Sequence, residues 1–147
     1  MRRELRFKTL DDARAELTRL EKGPVETFGN WSYFQILTHC AKAMEGCMKG
    51  VKRDMPWWKR HIYGPIGYWD TKLKGYIEAG IQGPKSDRLE GDEKTALEQL
   101  RKAMDDFEKF EGPFSDHPRL GTFNKKKWAL FHAFHLANHL GWAKPKG

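Results

Sequence analysis

Residues 125–140 read Lys-Lys-Lys-Trp-Ala-Leu-Phe-His-Ala-Phe-His-Leu-Ala-Asn-His-Leu. Asn124 ahead of them is a good N-cap, and Gly141 with Pro145 beyond supplies a stop. The spacing therefore predicts one helix over the whole stretch. His135 and His139 are four apart, so they stack on one face about a turn from each other; His132, three before His135, shares that face. Trp128 and Leu136 fall beside them, which turns the histidine face inward. His132 and His139 are roughly 10 Å apart on such a helix, too far to hold one ion together, so at most two of the three are direct ligands.

Working outward, three more stretches carry helical period. Over 10–20, Leu10, Ala13, Leu17 and Leu20 mark a buried face, Thr9 with Asp12 forms a capping box, and Gly23-Pro24 ends the helix. Over about 31–49, Ser32 and Gln35 form a second capping box, and Ile36, Cys40, Ala43 and Cys47 mark the apolar face. His39 sits at the edge of that face, and Gly50 is the stop. Over about 92–110, Leu97, Leu100, Met104 and Phe107 form the stripe, widened by Ala103 and Phe110, with Gly112-Pro113 as terminator.

Between the second and third of these lies a long stretch, about 52–91, rich in Gly, Pro and aromatics: Pro56, Trp57, Trp58, Gly64, Pro65, Gly67, Tyr68, Trp69. It predicts a short helix near 68–79 and an aromatic wall or lid over one end of the fold. No alternating strand pattern stands out. The expected architecture is all-α, a four-helix bundle with one long aromatic-rich connection between helices two and three, in a single domain over 1–147.

The 147 residues are 39% hydrophobic and 32% charged, a globular composition able to bury one core. No apolar run approaches the roughly 20 residues of a membrane span. The basic start, Met1 to Lys8, has no apolar stretch behind it and does not read as a signal peptide; the expected location is cytoplasmic, with no membrane partner. Cys40 and Cys47, on one helix, are about 10 Å apart and cannot pair with each other. They read as buried thiols, with a reactive Cys40 beside His39 as the other reading. The net charge of +7 raises the odds of an anionic partner, although a solvated basic face explains it equally simply; the densest run is Lys125-Lys126-Lys127.

Three histidines on one helix face can be metal ligands, a hydrogen-bonded core cluster or a surface cluster. Burying several imidazoles is costly unless each nitrogen has a partner, and a metal supplies one. A third ligand must come from elsewhere, and His39 is the natural choice, since His61 and His117 lie in loop sequence. No cysteine pair has zinc-finger spacing, and no Glu-x-x-His pair on the last helix suggests a di-iron carboxylate site.

Four features in register resemble the DinB/YfiT-like superfamily of metal-binding four-helix bundles, and more narrowly a subgroup known only as a domain of unknown function. They are Leu5-Arg6-Phe7 followed by Leu10-Asp11-Asp12-Ala13; the W-S-x-x-Q-x-L-x-H segment from Trp31 to His39; the His117-Pro118-x-x-Gly121 turn; and Trp128, His132, His135 and His139 on the last helix. The resemblance implies a metal triad of His39, His135 and His139, with Gln35, His132, Trp31 and Trp128 as candidates to support or line the site. Two departures stand out. Asn138 replaces a histidine common in relatives, and Lys125 to Lys127 occupy a first helical turn that is often acidic, where cations oppose the helix dipole.

Three neutral imidazoles leave an ion open positions, as catalytic sites require. Zn, Ni, Fe(II) and Mn all suit such a site, and imidazole favours the first three. The resemblance implies a metal-dependent thiol transferase or hydrolase acting on a small molecule, the positive charge suggesting an anionic thiol, in a chain that is often a homodimer. Glu45 and Asp116 are available as acid or base, and Tyr33, Trp57, Trp58 and Trp69 as pocket walls, though core packing is the ordinary role of such aromatics. The alternative is a non-enzymatic basic helical module for an anionic partner. Nucleic acid is not the expected one, since no helix-turn-helix or RNA-binding signature is present. In a third reading the histidines only staple the helices.

Overall fold

A computed structural model describes residues 1–50, 56–76 and 87–147. Among the described residues there are five helices and a two-stranded ribbon: α1 (Leu10–Leu20), β1 (Val25–Thr27), α2 (Tyr33–Lys49), α3 (Trp57–Lys74), α4 (Glu93–Lys109), α5 (Lys125–Leu140) and β2 (Ala143–Pro145).

Helix ends follow local chemistry. Thr9 accepts from the Asp12 amide and the Asp12 carboxylate returns to the Thr9 amide, closing the expected box at the start of α1. Ser32 and Gln35 do the same for α2, where Gly50 ends the helix at a φ of 107° that disfavours any side chain. Asp92 caps α4 and Asn124 caps α5 through its side chain on the Lys127 amide.

The inward faces meet in one apolar cluster. Leu17 and Leu20 of α1, Ile36, Leu37 and Met44 of α2, Leu100 and Met104 of α4, and Leu136 and Leu140 of α5 are all essentially sealed from solvent. Each such side chain stabilises the fold by about 1.5–3 kcal/mol relative to exposure. Helix α2 runs against both α4 and α5, while α1 packs on α5.

The expectation of no strand is corrected by a short antiparallel ribbon in which Val25, Glu26 and Thr27 face Pro145, Lys144 and Ala143. Three-residue strands carry too little alternation to show in a sequence. The ribbon forms because the chain on either side of it is tied down: the Arg3 amide donates to Gly141 O at 2.7 Å and the Phe28 amide to Trp142 O at 2.8 Å. A Cβ at Gly141 would meet Arg3 O at 2.7 Å, so this crossing needs glycine.

The other difference is α3. The expected helix at 68–79 begins eleven residues earlier, at Trp57, and runs through Pro65 to Lys74, with Gly75 left-handed after it. Residues 77–79 of that expectation, and the Trp57 side chain, lie outside the described residues. Gly64 explains the placement, because a Cβ there would sit 2.3 Å from Leu120 O, so α3 lies hard against the turn after His117. It leaves Trp58, Ile62, Tyr63, Ile66, Trp69 and Leu73 exposed. No helix among the described residues is long and apolar enough to cross a membrane.

Ser32 is fully buried, accepts from the Gln35 amide at 3.1 Å and donates to Leu89 O. Ser32→Ala strands both partners and is expected to lower stability by about 1–2 kcal/mol in urea unfolding. A wild-type midpoint would show that the cap contributes nothing.

Candidate metal centre

His39 projects from the middle of α2, and His135 and His139 from the last two turns of α5. The three ring systems converge, with centroids 5.0 Å apart for His39 and His135 and 4.5 Å for each other pair. His39 Nε2 and His135 Nε2 are 3.1 Å apart, and one ligand atom from each residue lies within 4.8 Å of the others. Two imidazoles on a tetrahedral ion at roughly 2.0–2.1 Å have nitrogens about 3.3 Å apart, so the observed gap suits a shared ion. His139 Nδ1 is buried with no hydrogen-bond partner among the described residues. An orphaned ring nitrogen inside an imidazole cluster is the mark of a group a cation would satisfy.

Aromatic rings fix the cluster. Trp31, just before the α2 cap, stacks on His139 at 5.6 Å with planes 8° apart and also touches His39 at 5.0 Å. Phe131, one turn before His135, stacks on it at 5.6 Å and 17°. The segment 87–89 holds the Trp31 corner: Arg88 Nη1 donates to Trp31 O at 3.3 Å and Arg88 Nη2 to Thr27 Oγ1 at 3.0 Å. On the other side, Arg2 Nη2 donates to Asn138 Oδ1 at 3.0 Å, and Arg3 Nη2 reaches Leu140 O at 3.1 Å and the buried Glu16 at 2.6 Å. Asn138 is therefore the anchor for Arg2.

The remaining sequence candidates separate cleanly. Trp31 lies on the cluster. His132 is one turn away in the core, its Nε2 3.4 Å from Cys47 Sγ, stacked on Trp128 at 5.2 Å and 18°. Trp128 is buried and donates from Nε1 to Ser115 O at 3.0 Å, so it supports His132 and not the triad directly. Gln35 is a cap residue: its Oε1 accepts from the Ser32 amide at 2.9 Å and its Nε2 donates to Asp87 O at 3.0 Å. His61 lies exposed on α3, a helix where loop was expected, while His117 accepts the Arg119 and Leu120 amides on Nδ1 within its turn. Glu45 meets Gln99 at 3.3 Å across the α2–α4 seam, and Trp58 and Trp69 stand exposed on α3. Neither Glu45 nor Asp116 belongs to the histidine cluster. Arg2, Arg88 and Phe131 escaped the sequence reading; only Phe131, four before His135, had a spacing that marks it.

The cluster is held neutral. Burial, then the neighbouring His139 and His39, keep His135 well below the usual imidazole range. Burial, then His39 and Arg2, hold His139 at about 3, while burial and Lys42 lower His39. Burial, then His117, hold His132 at about 3. Both cysteines are unpaired and buried, and burial pushes both thiols up to about 12, so neither is a thiolate at neutral pH. Neutral nitrogen donors from two helices, with no carboxylate among them, form an uncharged ligand set of the kind that suits Zn, Cu, Fe or Ni.

Fold and site thus define a mostly helical protein with a three-histidine cluster in which His139 is buried and His39 and His135 are half-buried. The chain belongs to a family of proteins of unknown function, DUF1569, whose model matches residues 1–146. No curated protein and no solved structure gives a significant match.

Because His132 and His139 sit at about 3 when folded and near 6.5 when unfolded, the unfolded chain binds more protons between those values. Stability is therefore complete above about pH 6.5 and falls as pH drops towards 3, by up to ~1.4 kcal/mol per pH unit for each histidine. Urea midpoints measured on metal-free protein from pH 8 to 4 should be level above about 7 and decline below. A flat profile to pH 4 would show that the imidazoles are not buried neutral.

Proposed function

We propose that His39, His135 and His139 hold one divalent transition-metal ion, Zn, Ni or Fe(II), in a DinB-like four-helix bundle formed by α1, α2, α4 and α5. The observation that carries this reading is the convergence of three neutral ring nitrogens from two helices within 4.8 Å. The orphaned His139 Nδ1 fits it, and so does the resemblance of the W-S-x-x-Q-x-L-x-H segment and the last helix to that superfamily.

His39, His135 and His139 would hold the ion and leave it open to water or substrate, and the chemistry it would supply there is an acidified water or an activated thiolate. The reaction class we favour is metal-dependent hydrolysis or thiol transfer on a small molecule. The chain's own groups prepare that position. Trp31 and Phe131 pin two of the imidazoles by stacking and shield them from water. Burial keeps all three unprotonated at neutral pH, the form that ligates.

The test is elemental analysis of purified protein, before and after incubation with Zn, Ni or Fe(II), beside His135→Ala/His139→Ala and Gln35→Ala variants. The expected result is about one equivalent in wild type and Gln35→Ala and none in the double variant. Metal should also raise the melting temperature of wild type and Gln35→Ala but not of the double variant, since a ligand that binds only the folded chain stabilises it by about 2.7 kcal/mol at 100 times its Kd. Absence of metal in wild type after incubation would reduce the triad to a packed core cluster.

A further inference from the structure

A second concavity lies on the other side of α5. It encloses about 820 Å3 between the start of α1, the outer helix α3 and the first turns of α5. That volume is typical of a small-molecule site. Its floor is apolar, made by Leu10, Phe107, Ala129, Leu130 and the ring of Tyr68. Its rim is cationic, formed by Lys8, Lys72, Lys126 and Lys127. Lys127 Nζ stands 4.9 Å over the Tyr68 ring and Lys72 Nζ 4.8 Å over Trp69, so two ammonium groups are held against the aromatic wall. None of these four lysines forms an ion pair among the described residues, whereas Lys125 is occupied by Glu108 O at 2.7 Å and Glu111 at 3.2 Å. The two acids at the groove are engaged with Arg14, Glu108 at 3.0 Å and the exposed Asp11 at 4.0 Å. A smaller hollow of about 480 Å3 shares Lys8, Lys72 and Leu130 and extends the apolar floor to Phe7 and Phe134, flanked by Arg6 and Lys74.

We propose that this groove binds a small amphipathic anion, an elongated apolar body with one anionic head. The apolar floor accepts the body, and Lys72, Lys126 and Lys127, unpaired among the described residues, accept the head. This also gives a reason for cations in the first turn of α5, where they oppose the helix dipole and no acidic residue stands in the same turn. The site is separate from the histidine cluster. At about 100° per residue, His135 and His139 point about 140° and 180° away from Leu130 around α5, so the two sites use opposite faces of one helix.

The test is titration calorimetry of the whole chain with decanoate and with decanol, the neutral analogue, both below their aggregation limits. Saturable binding near one equivalent is expected, with decanoate at least ten-fold tighter than decanol and weakened by salt. Lys72→Gln/Lys126→Gln/Lys127→Gln, three exposed or half-exposed changes, should lose at least ten-fold for decanoate and leave decanol unaltered. His135→Ala/His139→Ala should bind as wild type, so a failure of the metal reading leaves this one standing, and the reverse. Ile62→Ser/Ile66→Ser on the outer side of α3 should also bind as wild type. Equal affinity for acid and alcohol, an unaffected lysine variant, or loss in the Ile62/Ile66 variant would overturn the proposal; the last would assign the binding to the exposed apolar side of α3.

Discussion

Desolvation of imidazole is the constraint on which this structure turns. Four histidines, His39, His132, His135 and His139, are taken into or against one apolar interior, and burial forces each towards its neutral form. A neutral imidazole still has two nitrogens to satisfy. His132 uses the Cys47 thiol, and His39 and His135 face each other, but His139 Nδ1 has no partner. The surrounding architecture then reads as support for that concentration of polar rings. Trp31 and Phe131 clamp from the side, and the arginines at positions 2 and 3 hold the end of α5 through its carbonyls and Asn138.

Much of this was legible in the sequence because it is locally encoded. The boundaries of α1, α2, α4 and α5 are written in capping residues, Thr9, Ser32, Asp92 and Asn124, and in apolar residues three and four apart. The pairing of His135 with His139 needed only the helical repeat. His39 was reachable as an edge residue of the next apolar face and, with His61 and His117 in loop sequence, as the third ligand, and the resemblance implied the same residue. What stayed hidden depends on distant contacts. Helix α3 contains Pro65, Gly64 and Gly67, which argue locally against a helix. It forms where Gly64 lets its backbone approach Leu120, more than fifty residues away in sequence. The ribbon, and the roles of Arg2, Arg88 and Asn138, are likewise invisible without the fold. Gln35 was readable from spacing both as a cap residue and as a neighbour of His39, and the fold shows the cap, its carboxamide bonded to the Ser32 amide and to Asp87 O.

Helix α5 emerges as an element with two occupations. One face carries imidazoles into a neutral, aromatic, water-poor interior. Another, beginning with three lysines, meets solvent beside an aromatic-walled groove. The low amphipathicity of this helix follows: apolar, cationic and imidazole side chains are distributed all round it because every side has something to contact. Polarity patterns that identify a helix with one buried face underdescribe one with two.

The crossing of Arg3 over Gly141 has a consequence for how the molecule comes into being. His39 and His135 are 96 residues apart, and Arg2 and Asn138 are separated by 136. Strand β1 must likewise wait for β2. As the chain leaves the ribosome, α1 and α2 can form early, but His39 and Trp31 have nothing to close upon until residues 135–145 have been made. The cluster is therefore among the last parts to assemble, and His39 remains accessible to solvent and to protons until His135 and His139 have been made. Contacts of such long sequence separation slow folding, so the step that buries the imidazoles is also the step that joins the two ends of the described chain.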